Sequence, residues 1–184
     1  IDAWWSATAT EEDHLQVVKT VEEALRSFGK VETRAWGDVV SIELRDETGR
    51  IFSFQIANRS AQLTPPTQAP WIAVLLDSFQ DLVASKMVAL VERGAPRDFR
   101  DIFALCQAGL VTPQECWHLW LRRQQLAGSD VDATRARLAV ETHLSRIAKH
   151  RPLAQIEALE HREEARRVRD WFAKEFLSVL EAFD

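Results

Sequence analysis

The apolar residues of this chain change period once, and that change limits what it can fold into. Between residues 31 and 57 they alternate, as in half-buried strands, whereas from residue 78 onward they recur every three or four positions, as in helices. Between the two lies a polar stretch, 58–70, holding Pro65, Pro66 and Pro70, which favours neither a helix nor a strand ladder. Strands followed by a run of helices predict an α+β chain rather than alternating βαβ units.

Within the first part, Thr10-x-x-Asp13 reads as a helix start. Leu15, Val18, Val21, Leu25 and Phe28 follow at helical spacing, and Gly29 is a natural stop. Short strands are predicted near residues 31–36, 39–45 and 51–57. Joining the last two through residues 46–50 sets Val40, Ile42 and Leu44 opposite Ile56, Phe54 and Phe52, which makes one continuous apolar face. The other face then carries Glu43 beside Ser53 and Gln55 beside Ser41. Residues 71–76 form a short apolar segment. Helices are predicted at 78–93, 98–108, 113–126, 132–150, 153–160 and 162–183, with Pro113 suited to a first helical turn. Trp117, Trp120 and Leu121 make one apolar stripe, and Val168, Trp171, Phe172, Phe176, Val179 and Phe183 another; aromatics at the apolar helical period mark core packing. The expected organisation is a small sheet with a flanking helix over residues 1–76 and a helical lobe over 77–184.

Composition narrows the function classes. With 184 residues, 46% of them hydrophobic, the chain can bury a real core. It has no apolar run near the roughly 18 residues that a membrane span needs and no signal-peptide pattern, so a cytoplasmic, membrane-free protein is expected. Cys106 and Cys116 lack Cys-x-x-Cys spacing and read as reduced helix residues, and the five histidines show no zinc-ligand spacing. A net charge of −5 argues against a non-specific nucleic-acid binder. Of the 23 Lys and Arg, however, 16 fall after residue 76. Arg162, Arg166 and Arg169 share one helical face that could meet RNA phosphates, yet Glu160, Glu163, Glu164 and Asp170 interrupt the row, as on a solvated, salt-bridged surface.

The densest chemistry lies in the block from Asp81 to Ile102. Lys86 and Arg93, seven residues apart, share a helix face and suit a polyanion such as a triphosphate. Arg97, Asp98 and Asp101 open the next helix. Basic groups beside carboxylates are what phosphoryl or nucleotidyl chemistry requires. Equally, Asp98-x-x-Asp101 ahead of an apolar run reads as an N-cap with its capping box, and the two cations as a solvated face.

Read together, Lys86-x-x-Ala89-x-x-x-Arg93 and Arg97-Asp98-x-x-Asp101-Ile102, followed by Phe103-Ala104-Leu105, resemble the AbiEii family of nucleotidyltransferase toxins. The upstream Phe52-Ser53-Phe54-Gln55-Ile56-Ala57 and Pro65-Pro66 fit the same plan. The resemblance implies a nucleotidyltransferase-like fold, with a small mixed sheet, a flanking helix and a helical C-terminal lobe. It further implies a magnesium-bound NTP as substrate, an RNA acceptor such as tRNA or a protein acceptor, and an antitoxin partner. On this resemblance Lys86 contacts phosphates, with Arg93 and Arg97 as further phosphate groups, while Asp98 or Asp101 holds the basic groups or assists the chemistry. The opening Ile1-Asp2-Ala3-Trp4-Trp5 resembles the end of the family's Asp-x-Asp strand, which makes Asp2 the second metal carboxylate and puts the first, with its Gly-rich turn, before Ile1. Where the family commonly supplies another carboxylate this chain has Gln55, which cannot act as an anionic ligand. Glu43 is a candidate replacement, set against the alternative of an exposed strand residue. The implied functions are therefore an active nucleotidyltransferase, a degenerate relative that binds without turnover, or a structural interaction domain.

Overall fold

The computed structural model describes residues 1–179 except 60, 73 and 130. The chain divides into two compact units, Ile1–Ser60 and Ala61–Asp184.

In the first unit four strands form a mixed sheet in the order β1-β4-β3-β2, from β1 (Asp2–Trp4), β2 (Lys30–Trp36), β3 (Val39–Asp46) and β4 (Gly49–Ala57). The β3–β4 register pairs Val40 with Ile56, Ile42 with Phe54 and Leu44 with Phe52, as the apolar alternation predicts. A bulge at Leu44/Arg45 then lets Asp46 close the turn, where its carboxylate accepts the backbone N–H groups of Thr48 and Gly49. β1 runs parallel to β4 and sets Asp2 beside Gln55. Helix α1 (Glu11–Arg26) starts with a complete capping box between Thr10 and Asp13. Thr33, opposite Ile42, donates to Glu22 of α1, so the helix covers the apolar face.

The expected α1 stripe is only partly buried. Val18, Val21 and Leu25 are half-buried, but Leu15 and Phe28 are 72% and 73% exposed. Successive i,i+3 steps precess about 60° around the helix, which carries Leu15 off the covered side. Phe28 lies beyond the Ser27 cap.

The second unit opens with a minimal hairpin, β5 (Thr67–Gln68) against β6 (Leu75–Leu76). Five helices follow among the described residues: α2 (Phe79–Glu92), α3 (Pro96–Gln107), α4 (Pro113–Leu126), α5 (Ala133–His150) and α6 (Leu159–Trp171). Helix α2 is central, with α3, α4 and α5 packed around it and α6 against α3. Its Val83, Ala84, Met87 and Leu90 are fully buried with Phe99, Ile102, Trp117 and Val140. Thr112, with Pro113 at the first helical position and Glu115 completing the box, starts α4 as its sequence predicts. Cys106 and Cys116 are free thiols with sulfurs 4.0 Å apart.

Three expected elements differ. The helix expected to start at residue 98 begins at Pro96, whose fixed φ suits the first turn, with Ala95 as N-cap. The helix expected at 153–160 is a single 3₁₀ turn, Leu153–Gln155, because Arg162 draws the Ile156 carbonyl to its guanidinium and α6 starts afresh at Leu159. Beyond Trp171 the helix widens to a π turn, Phe172–Phe176, closed by a bond from Leu177 N–H to the Phe172 carbonyl. Phe172 and Phe176 both point into the core there, and Trp117 Nε1 donates to the Phe176 carbonyl at 3.3 Å. Phe183, assigned to the same stripe, lies outside the described residues. No described helix is long and apolar enough to cross a membrane.

The α2–α3 turn rests on Gly94 at φ +49°, where an added Cβ would lie 2.4 Å from His143 Cβ. Gly94→Ala combines a left-handed backbone with overpacking and is expected to destabilise the protein by about 2–4 kcal/mol, read as a shift in the urea unfolding midpoint.

Candidate functional site

Because Gly94 turns the chain back, α2 and α3 face each other and bring two ion pairs into register. In the rung next to the turn the carboxylate is buried and the guanidinium half-exposed. Asp98 is fully buried and accepts Arg93 Nε at 3.0 Å and Nη2 at 2.9 Å. Its Oδ2 also takes the Ala95 N–H at 3.0 Å. Asp98 thus stands at the third helical position and closes back on the cap, rather than being the cap. Burial, the largest single influence, pushes its carboxyl up; the Arg93 hydrogen bonds and charge, the Ala95 N–H and the more distant Arg97 together outweigh it and hold the group below its ordinary value.

The outer rung is different. Lys86 Nζ lies 2.6 Å from Asp101 Oδ2, and both side chains are 41% exposed. Arg97 lies on the open side, its Nε 3.9 Å from Asp98 Oδ1. The five sequence-expected residues of this unit are therefore together, but unequally presented: Asp98 is buried, whereas Lys86, Arg97, Asp101 and Arg93 reach solvent, the Arg93 fork being turned to Asp98.

Two neighbours were not singled out from the sequence. Asp81, fully buried, accepts the backbone N–H groups of Leu63 at 2.7 Å and Thr64 at 3.2 Å and the Ser78 hydroxyl at 2.7 Å, so it ties the proline-bearing loop to the start of α2. Its three-residue spacing from Ser78 was the available signal. Arg123 is buried on α4 and donates from Nη1 to Ser85 Oγ at 3.0 Å, next in sequence to Lys86. A cation three residues past Trp120, on the apolar stripe, was the mark of a buried charge with a structural partner.

In the first unit Asp2, Gln55 and Ser41 stand in one row across β1, β4 and β3. Ser41 Oγ is buried without a hydrogen-bond partner among the described residues. Glu43 is neither exposed nor free: it is 8% exposed and clasped by Arg45 Nη1 at 2.8 Å and Arg50 Nη1 at 3.2 Å. A hard divalent cation wants several carboxylate or carbonyl oxygens. Here the row supplies one carboxylate, Asp2, and no cluster of three His, Cys, Asp or Glu occurs among the described residues. The residues present do not by themselves make a magnesium site.

Residues 5–184 match a family model described as nucleotidyl transferase AbiEii toxin, type IV TA system. Comparison with curated proteins and with solved structures finds no match.

The Arg93–Asp98 rung has a pH signature. Because the folded value of Asp98 lies below its unfolded one, its contribution to stability is complete above about pH 4 and disappears as pH falls through the folded value. Arg93→Gln is expected to cost roughly 2 kcal/mol at neutral pH and to flatten the acid limb of the stability curve, measured by urea unfolding from pH 7 to pH 2.

Proposed function

We propose, from the premise that the chain belongs to the AbiEii family of nucleotidyl transferase toxins of type IV toxin–antitoxin systems, that the α2–α3 hairpin is the phosphate-handling half of its transfer site. The observation that carries this reading is the half-exposed Lys86–Asp101 pair beside the Arg93–Asp98 fork, whose carboxylate alone is buried. The two-bond fork onto the buried Asp98 carboxylate fixes the hairpin, and the outer rung is free to exchange partners. An exposed ion pair contributes only about 0–1 kcal/mol, so a triphosphate competes readily for the ammonium.

The chemistry follows from that exchange. Lys86 moves from Asp101 to the phosphate oxygens of an NTP and neutralises charge as it develops, with Arg97 adding a second cation from the open side. Asp101, released, accepts the proton of the attacking acceptor hydroxyl. The hydroxyl oxygen bonds to the α-phosphorus and pyrophosphate leaves. The acceptor class that suits this reading is RNA, a tRNA end included, or a protein hydroxyl. Among the described residues the row of Asp2, Gln55 and Ser41 offers one carboxylate, Asp2, to the divalent cation that such enzymes generally employ, so every step above belongs to the chain's own residues.

That donor set favours a second reading, in which the fold binds nucleotide without turnover. Gln55 beside Asp2, and Glu43 held between two arginines, are the observations behind it. Incubating the protein with α-labelled NTPs, a divalent cation and either tRNA or protein acceptors separates the two. Transfer is expected, reduced at least about 100-fold by Lys86→Ala through both kcat and KM. Asp101→Asn is expected to lower kcat while NTP affinity stays level or rises, because Lys86 loses its competing carboxylate. Saturable NTP binding with no transfer to any acceptor establishes the second reading and sinks the first.

A further inference from the structure

The Arg162, Arg166 and Arg169 row on α6 is occupied internally. Arg162 donates to the Ile156 carbonyl through Nε at 2.9 Å and Nη2 at 2.7 Å, Arg169 Nη2 donates to the Arg151 carbonyl at 2.7 Å, and Arg166 pairs with Glu163. Two of the three thus staple residues 151–156 along the helix. Beside the stapled segment is a cavity of about 290 Å³ lined by Arg100, Arg151, Ile156, His161, Glu164 and Ala165. Its single carboxylate, Glu164, is already met by Arg100 Nε at 3.1 Å. The Arg151 and His161 side chains have no hydrogen bond or ion pair within the described residues.

We propose that this cavity is a phosphomonoester site, separate from the Lys86–Asp101 pair. The donor inventory points to that ligand. A guanidinium fork from Arg151, the terminal nitrogens of Arg100 and a ring N–H of His161 outnumber what the two oxygens of a carboxylate or a phosphodiester accept, and match the three terminal oxygens of a monoester. Ile156 and Ala165 give the group that carries the phosphate an apolar floor. The site is also pre-organised: the backbone that presents Arg151 is held by Arg169, and Ile156 by Arg162, so little ordering is left for the ligand to impose. The ligand is a small phosphorylated molecule of nucleotide size or the phosphorylated end of a polynucleotide, since both offer the same terminal group.

Titration calorimetry on the full chain tests this with inorganic phosphate, a nucleoside 5′-monophosphate, and one oligoribonucleotide with and without a 5′-phosphate. Binding of the phosphorylated probes is expected of the Lys86→Ala variant, which lacks the proposed NTP contact, and is weakened about tenfold by adding Arg151→Gln or His161→Gln and partly restored by Arg151→Lys in their place. Tighter binding of the mononucleotide than of the phosphorylated oligonucleotide identifies a small-molecule ligand; the reverse order, with no binding of the unphosphorylated strand, identifies a polynucleotide end. Circular dichroism melts confirm that the variants are folded. The proposal is overturned if no phosphorylated probe binds the Lys86→Ala variant, or if adding Arg151→Gln and adding His161→Gln both leave that binding as tight. Because the Lys86 contact is already removed, each of these outcomes leaves the nucleotidyl-transfer reading to its own assay.

Discussion

The helical unit depends on a guanidinium fork closing on a carboxylate across a glycine turn. Arg93 reaches Asp98 with two hydrogen bonds while Gly94 supplies the left-handed residue that lets α3 fold back against α2. A buried carboxylate without partners would cost several kcal/mol, so α3 is held where both Asp98 oxygens are satisfied. That placement sets the rest of the α3 surface. Phe99 and Ile102 go into the core, Asp101 comes up opposite Lys86, and Arg97 and Arg100 are left on the open side.

Magnitudes separate the roles of the two rungs. The Arg93–Asp98 contact has fork geometry and a dry carboxylate, and its loss leaves a buried charge. The Lys86–Asp101 contact is half-exposed, and water takes over either partner at little cost. Two similar charge pairs on the same two helices thus divide into one that builds the hairpin and one that can change partners. The same division recurs on α6, where Arg162 and Arg169 look like part of a ligand-facing row but instead hold the carbonyls of Ile156 and Arg151.

Much of the first unit was legible because strand pairing follows from alternation. The Val40–Ile56 register needed only the turn at Asp46 and the demand that one face be apolar. The capped start at Thr10 was equally readable, since a capping box is a local pattern with a local hydrogen bond. The helix expected over 153–160 was misread for the opposite reason. Its apolar spacing is adequate, but Arg162 competes for the Ile156 carbonyl, and no window of sequence shows which acceptor a guanidinium will choose. Glu43 followed the same logic: a polar residue alternating with apolar neighbours predicts an exposed side chain, and Arg45 on its own strand with Arg50 on the next made it a buried anion.

The sequence by itself determined the α+β order of elements, the strand register, the capped helix starts and the family to which the Lys86-to-Asp101 block points. These follow from nearest neighbours along the chain and from a periodicity that only one class of backbone satisfies. Tertiary structure alone decided which charges are spent and which are available. Arg93, Asp98, Glu43, Arg162 and Arg169 are engaged by groups brought near in space, whereas Lys86, Asp101 and Arg151 remain near solvent. The reason is that ionic partnership depends on burial and on angstrom-scale geometry, and both arise only once turns, strands and helices have packed.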